Sequence, residues 1–228
     1  MQNFSGKFLW IALLSFMAVL VWDASGLDMA MAMLMGNTQG FPFRNSWLLT
    51  SVLHDDAKHA AWGLVVLLSA SALWPWGPFA KLPFERRLQL AAVTLLATGV
   101  VSLVKATSHT SCPWDLAEFG GVARHVSHWS GWADIDGGPG RCFPAGHASA
   151  GFAFVAGYFA LRRDLPRLAR IWLLIALASG LALGLVQQFR GAHFMSHTLW
   201  TGWICWMTGW LTDPLFSRFR GRFDGTPA

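Results

Sequence analysis

The chain has 228 residues, of which 54% are hydrophobic, 13% are charged and 14 are tryptophan. Apolar runs recur along most of its length with short loops between them, which is the pattern of an all-α polytopic membrane protein and argues against a soluble domain. The net charge of +5 is gathered on particular loops, as membrane topology requires, so no nucleic-acid partner is expected.

Residues 8–22 form the first apolar run, behind Lys7. A basic residue before a short apolar stretch also fits a signal peptide. Asp23-Ala24-Ser25 is a poor small-x-small cleavage site, however, so an uncleaved anchor is expected. The methionine-rich stretch 27–35 is too short to span; it extends the first helix or lies in the interface. A polar connection with Pro42, Arg44 and a turn at His54-Asp55-Asp56 leads to the second span, 60–76, closed by a Trp-Pro-Trp-Gly-Pro run. After Lys81, Arg86 and Arg87, the third span covers 88–104 and stops on Lys105. Residues 109–141 are the longest polar segment. The fourth span is 148–161 and the fifth, after Arg162, Arg163, Arg167 and Arg170, is 171–186. The sixth, 194–211, is ended by Asp213-Pro214 ahead of Arg218, Arg220 and Arg222. One integral-membrane domain, 1–228, with six transmembrane helices is expected.

The amino end, the loops after spans two and four, and the carboxyl tail hold the Lys/Arg excess. The positive-inside rule puts them, and both termini, in the cytoplasm. Lys105, His147, Arg190 and His193 then all lie at the outer face. Lys105 alone is equally well explained by snorkelling, and an isolated helical histidine is ordinarily structural. Their convergence is the stronger signal, because charge beside hydrocarbon is costly unless it is paired or used. At Pro144-Ala145-Gly146-His147 a turn-rich loop ends and a small-residue helix begins. The first N–H groups of such a helix lack intrahelical partners and carry the positive end of its dipole, which makes an anion site with His147 in it. Arg190, His193 and His197 share one helix face if a helix starts near Arg190, and arginine offers a phosphate a planar, permanently charged fork. Cys112 and Cys142 lie in one loop region. In an oxidising compartment they form a bridge and elsewhere they are two thiols, and the composition leaves both open.

Three pieces of the chain, Lys105-x6-Cys112-Pro113, Pro144-Ala145-Gly146-His147 and Gln187-x5-His193-x3-His197, resemble the motifs of the type 2 phosphatidic acid phosphatase (PAP2) superfamily of membrane lipid phosphatases. Those motifs read Lys-x6-Arg-Pro, Pro-Ser-Gly-His and Ser-Arg-x5-His-x3-Asp. The resemblance covers 105–197 in the family's order, and six helices suit its fold. Cys112 and Gln187 stand where the family has arginine, Ala145 where it has serine, and His197 where it has aspartate. Arg190 is a candidate substitute for a lost arginine, and Arg124 or Arg141 for the other. Asp115 or Glu118, besides His197, is a candidate for orienting His193.

The resemblance implies a lipid phosphatase at the periplasmic face of a bacterial inner membrane, acting on a lipid such as undecaprenyl pyrophosphate, lipid A or phosphatidylglycerol phosphate. His193 would form a phosphohistidine, and His147 would protonate the leaving oxygen and then activate water. Lys105 and Arg190 would hold the phosphoryl group with the backbone N–H groups of Ala145, Gly146 and His147. No metal or other cofactor is needed and no obligate protein partner is implied. Transfer of the same phosphoryl group to an acceptor lipid, or a non-catalytic scaffold with an altered site, are the alternatives. A metal site of His109, His125 and His128 with Cys112 and Cys142 matches no standard zinc spacing. Trp114, Trp129 and Trp132 are read as interfacial belt residues.

Overall fold

The computed structural model describes residues 2–130 and 134–223, with side chains over 6–130 and 134–217. Trp132 and the side chains of Arg218, Arg220 and Arg222 fall outside the described residues. Polar residues flanking the apolar runs prove helical, so most predicted spans lengthen. Helix α1 covers Gln2–Ala24 and a short α2 covers Leu27–Met35. A π-helical segment, Leu48–Asp56, runs directly into α3, Ala57–Leu73. His54-Asp55-Asp56 is therefore helical and not the expected turn. Helix α4 spans Phe84–Thr107. Residues 146–161 form a helical run of mixed 3-10 and α character that contains α5, Ser149–Phe152, and α6, Ala156–Leu161. Helix α7, Pro166–Phe189, and α8, Met195–Phe223, complete the bundle. Among the described residues there is no strand, only isolated bridges at Asn37–Gly40 and Leu116–Ala123.

The expected stop at Asp213-Pro214 does not occur, because α8 continues through Pro214 to Phe223. Proline removes one backbone hydrogen bond, but Asp213 is held from outside its own helix. Its carboxylate accepts from Arg86 Nη1 at 2.8 Å, Gln89 Nε2 at 3.0 Å and Arg162 Nη2 at 2.6 Å. Arg86 is fully buried. This ionic knot ties the start of α4, the end of α6 and the far part of α8 together. A helix of 24 residues is about 36 Å long, which puts Lys105, near the other end of α4, a full bundle length away.

Four segments are long and apolar enough to cross a membrane: Gly6–Ala24, Leu48–Lys81, Phe84–Thr107 and Pro166–Phe189. The remaining two of the six expected spans do not meet that description. Residues 146–161 are apolar because they are core, with Phe152, Val155, Ala156, Phe159 and Leu161 all buried. Helix α8 is long enough, but it buries Ser196, His197, Thr198, Thr201 and Asp213. A helix enclosed by its neighbours has no lipid to match, so its hydropathy need not be high. Outward faces of α1 and α7 are greasy instead, with Trp10, Leu14, Leu174 and Ile175 exposed, as a lipid-facing surface requires. Close packing relies on small residues. A side chain on Gly151 would collide with the backbone of Gly180, so α5 and α7 touch backbone to backbone.

Helix α8 lacks a capping side chain of its own. Asp28 of α2 supplies one: its Oδ1 accepts from Ser196 N at 2.9 Å, and from Trp22 Nε1 at 2.7 Å. This satisfies one of the unpaired donors at the helix start. The short α2 thus works as a cap for α8, neither extending α1 nor standing apart.

Candidate active site

Three helix ends and one turn meet opposite the Arg86 knot. Helix α4 delivers Lys105 in its last turn, the run 146–161 opens with Gly146 and His147, and α7 closes on Gln187 and Arg190. Arg190, His193 and His197 do not share a helix face as expected. Helix α7 stops because Gly191 takes the left-handed conformation, φ +73°. Gly191 N bonds Gln188 O at 2.9 Å and Ala192 N bonds Gln187 O at 2.8 Å, the paired bonds of a Schellman ending. The chain therefore reverses between Arg190 and His193, and His197 begins a different helix. The turn still brings Arg190 and His193 to one cavity.

That cavity measures about 430 Å³ and is lined by Lys105, Gly146, His147, Gln187, Arg190 and His193. Arg190 is braced: Nε donates to Arg44 O at 3.1 Å, and Nη1 donates to Gln187 Oε1, also at 3.1 Å. The guanidinium lies 6.0 Å from the Trp114 ring, whose face Arg44 also covers at 4.5 Å. Gln187 is 1% exposed, and its Nε2 has no hydrogen-bond partner among the described residues. His193 is buried, with Nδ1 3.5 Å from His197 Nδ1 and 3.5 Å from Cys142 Sγ. Its Nε2 lies across the ring from both. Burial, reinforced by Lys105, His197 and His147, holds the His193 imidazole neutral well below the usual histidine range. Burial also brings His147 down to about 3, with His54, Lys105, Arg190 and Lys58 adding repulsion.

Lys105, Gly146, His147, Arg190 and His193, singled out from the sequence, all line the cavity. His197 sits behind His193 and not in the wall. The Ala145 amide is not free to bind a phosphoryl oxygen, because it donates to His197 O at 3.2 Å. Asp115 does not reach His193. It caps its own short turn, accepting from Cys112 N at 3.3 Å, and burial raises its carboxyl above the usual range. Glu118 is exposed, Arg124 pairs with Asp134, and Arg141 is exposed; none of the three lines the cavity. Cys112 and Cys142 form a disulfide, tying the first motif to the second where the family's arginine would stand. Among the described residues the group of metal-type ligands that converges is Cys112, Cys142 and His193, and the bridge occupies both sulfurs. His109, His125 and His128 do not join it.

His54, Lys58, Trp114 and Arg44 join this site without a mark in the sequence spacing, and Gln187 stands out there only as a departure from the third motif's arginine. His54 stacks on His147, with ring centroids 3.6 Å apart, and bonds Asp55 Oδ1 through Nδ1 at 2.8 Å. His54 and Lys58 reach the cavity because the π-helical segment and α3 run beside it, Trp114 comes from the 113–115 turn, and Arg44 contributes from behind by holding Arg190 through its carbonyl.

Fold and site together define a helical membrane protein with a cation- and histidine-lined anion cavity at one end of its bundle. The family model of the PAP2 superfamily matches residues 86–220, more than half of the chain, and the chain belongs to that superfamily. Its members are generally phosphatases, so phosphatase-type chemistry is the expected class. No curated protein and no solved structure matches the chain.

Proposed function

We propose that this chain hydrolyses a phosphate or pyrophosphate carried on a membrane lipid, at the periplasmic face of a bacterial inner membrane, through a phosphohistidine on His193. The carrying observation is one cavity that joins two histidines, Lys105 and Arg190 to an apolar wall. That wall includes Ala61, Val65, Leu95 and Phe154. A charged end for a headgroup and a greasy side for its chain suit an amphiphile and not a soluble ester.

The phosphoryl oxygens lie against Lys105, Arg190 and the N–H groups that open the 146–161 run. Gln187 Nε2 adds a neutral donor where the family has arginine. The His193 Nε2 lone pair attacks phosphorus and the bond to the leaving oxygen breaks. That oxygen takes its proton from His147. Water then attacks phosphorus and returns a proton to His147, and the P–N bond breaks back onto Nε2. His147 needs a proton for the first step, and the bound anion provides the reason to acquire one. Its negative charge offsets Lys105, Arg190 and Lys58, cations that add to burial in keeping the imidazole neutral.

Phosphate release by the detergent-purified protein from polyprenyl pyrophosphate, lipid A and phosphatidylglycerol phosphate, in the presence of a chelator, tests this reading. Release lost in both His193→Ala and His147→Ala, with phosphorus trapped on protein in His147→Ala, is the expected result. Full release by His193→Ala would overturn it.

A further inference from the structure

The third motif has lost its acid, since His197 stands in the aspartate's place. A carboxylate reaches the same row of residues from outside the segment that matches the family. Asp23, at the end of α1, is nearly buried, with 10% of its side chain exposed. Its Oδ2 accepts from Trp129 Nε1 at 2.9 Å and Trp200 Nε1 at 2.8 Å. The same oxygen lies 3.3 Å from His128 Nε2, off the line of a hydrogen bond, and Oδ1 is buried with no hydrogen-bond partner among the described residues. The His128 ring lies flat on Phe143, centroids 4.1 Å apart, and meets the His197 ring edge-on at 5.6 Å. His197 Nδ1 in turn lies 3.5 Å from His193 Nδ1. One carboxylate and three imidazoles thus form a continuous row ending at the cavity.

We infer that Asp23 is a positioning residue for His193, acting through His128 and His197 in place of the motif's aspartate. The inference rests on His193 being the nucleophile. A neutral His197 accepts at Nδ1 only when its own proton is on Nε2, the edge a negative charge beyond it favours. His193 then donates from Nδ1 and keeps the Nε2 lone pair for phosphorus. As the N–P bond forms, the His193 ring becomes cationic, while Lys105 and His147 on the cavity side oppose that charge. Asp23, on the far side and away from water, favours it. Such outer partners orient and tune the group they back without touching substrate.

Asparagine preserves the size of Asp23 and an acceptor for both tryptophans, so Asp23→Asn removes charge with least disturbance. Nitrogen-15 histidine spectra of the full chain in detergent are expected to show His193 protonated at Nδ1 and bare at Nε2. In Asp23→Asn and His128→Phe they are expected to show mixed tautomers. With a substrate lipid, kcat should fall roughly 10–100-fold while KM changes by less than about twofold, and Asp23→Glu should recover part of it. An Asp23→Asn protein with the wild-type tautomer overturns the inference, whether its rate is unchanged or falls only along with its thermal stability. A wild-type protein that releases no phosphate defeats the proposed function instead, and the spectra still decide the role of Asp23.

Discussion

Gln187 shows how one substitution rearranges an anion site. The family's arginine at this position would bring fixed charge, whereas glutamine brings an acceptor and a donor. Its Oε1 holds Arg190 Nη1 at 3.1 Å, and its Nε2 is left unpartnered beside the cavity. Charge has in effect moved three residues along the chain to Arg190, with Gln187 as its brace. Gln187→Leu keeps the volume but removes both functions. Losing a hydrogen bond to a charged group costs about 1.5–3 kcal/mol, so kcat/KM for phosphate release should fall roughly 10–100-fold. Thermal stability should fall only modestly, because loss of the Oε1–Arg190 Nη1 bond is partly offset by removal of the buried, unpartnered Nε2. An unchanged kcat/KM in Gln187→Leu, measured on whichever lipid is hydrolysed, would remove glutamine from the site.

At the scale of elements, the bundle is pinned at the end far from the cavity by the Arg86–Asp213–Arg162 knot. Breaking one partner of a buried pair leaves an uncompensated charge and costs about 3–5 kcal/mol. Asp213→Ala should therefore lower the unfolding midpoint in detergent sharply, while Thr208→Ala, which loses only a bond to Ile204 O, should change it little. A midpoint unmoved by Asp213→Ala would mean that the knot does not hold α4 to α8. The sequence foretold this region poorly. Asp213-Pro214 reads locally as a helix stop, and the partners that hold Asp213 in place, Arg86, Gln89 and Arg162, lie 127, 124 and 51 residues earlier. Span centres were legible because apolar runs are contiguous. Their ends were not, because hydropathy does not mark polar first turns: that of α4 is held by the buried Arg86, and that of α7 opens on Pro166 with Arg167 exposed. The site divides in the same way. Lys105, His147, Arg190 and His193 were legible from spacing, since three motifs carry them in order. His54 and Asp23 were not, because each meets its partners across the fold; Asp23 is 106 and 177 residues from the tryptophans that bind it.

For the whole molecule, a cavity that keeps its imidazoles neutral imposes a pH dependence on folding. His147 and His193 have folded pKa values below the ordinary 6.5, with His147 at about 3. Below pH 6.5 the unfolded chain binds protons that these two folded histidines refuse, so stability falls as the pH falls. The contribution is complete above 6.5 and, for His147, is lost progressively between 6.5 and about 3. The slope approaches about 1.4 kcal/mol per pH unit for each histidine. An anion in the cavity should lessen the His147 part, because burial remains but the anion's charge offsets Lys58, Lys105 and Arg190 and makes protonation of the imidazole easier. Sulfate is suited to the test, being dianionic from about pH 5 to about pH 8, so its own titration does not intrude. Thermal unfolding in detergent should show a lower midpoint at about pH 5 than at about pH 8, and added sulfate should raise the midpoint more at the acidic end. In His147→Phe the extra acidic gain from sulfate should vanish, and the pH slope should become shallower. A sulfate effect that is equal at both pH values in the wild type would mean that anion binding and His147 protonation are not linked, and with that the source of the proton for the leaving oxygen would have to lie elsewhere.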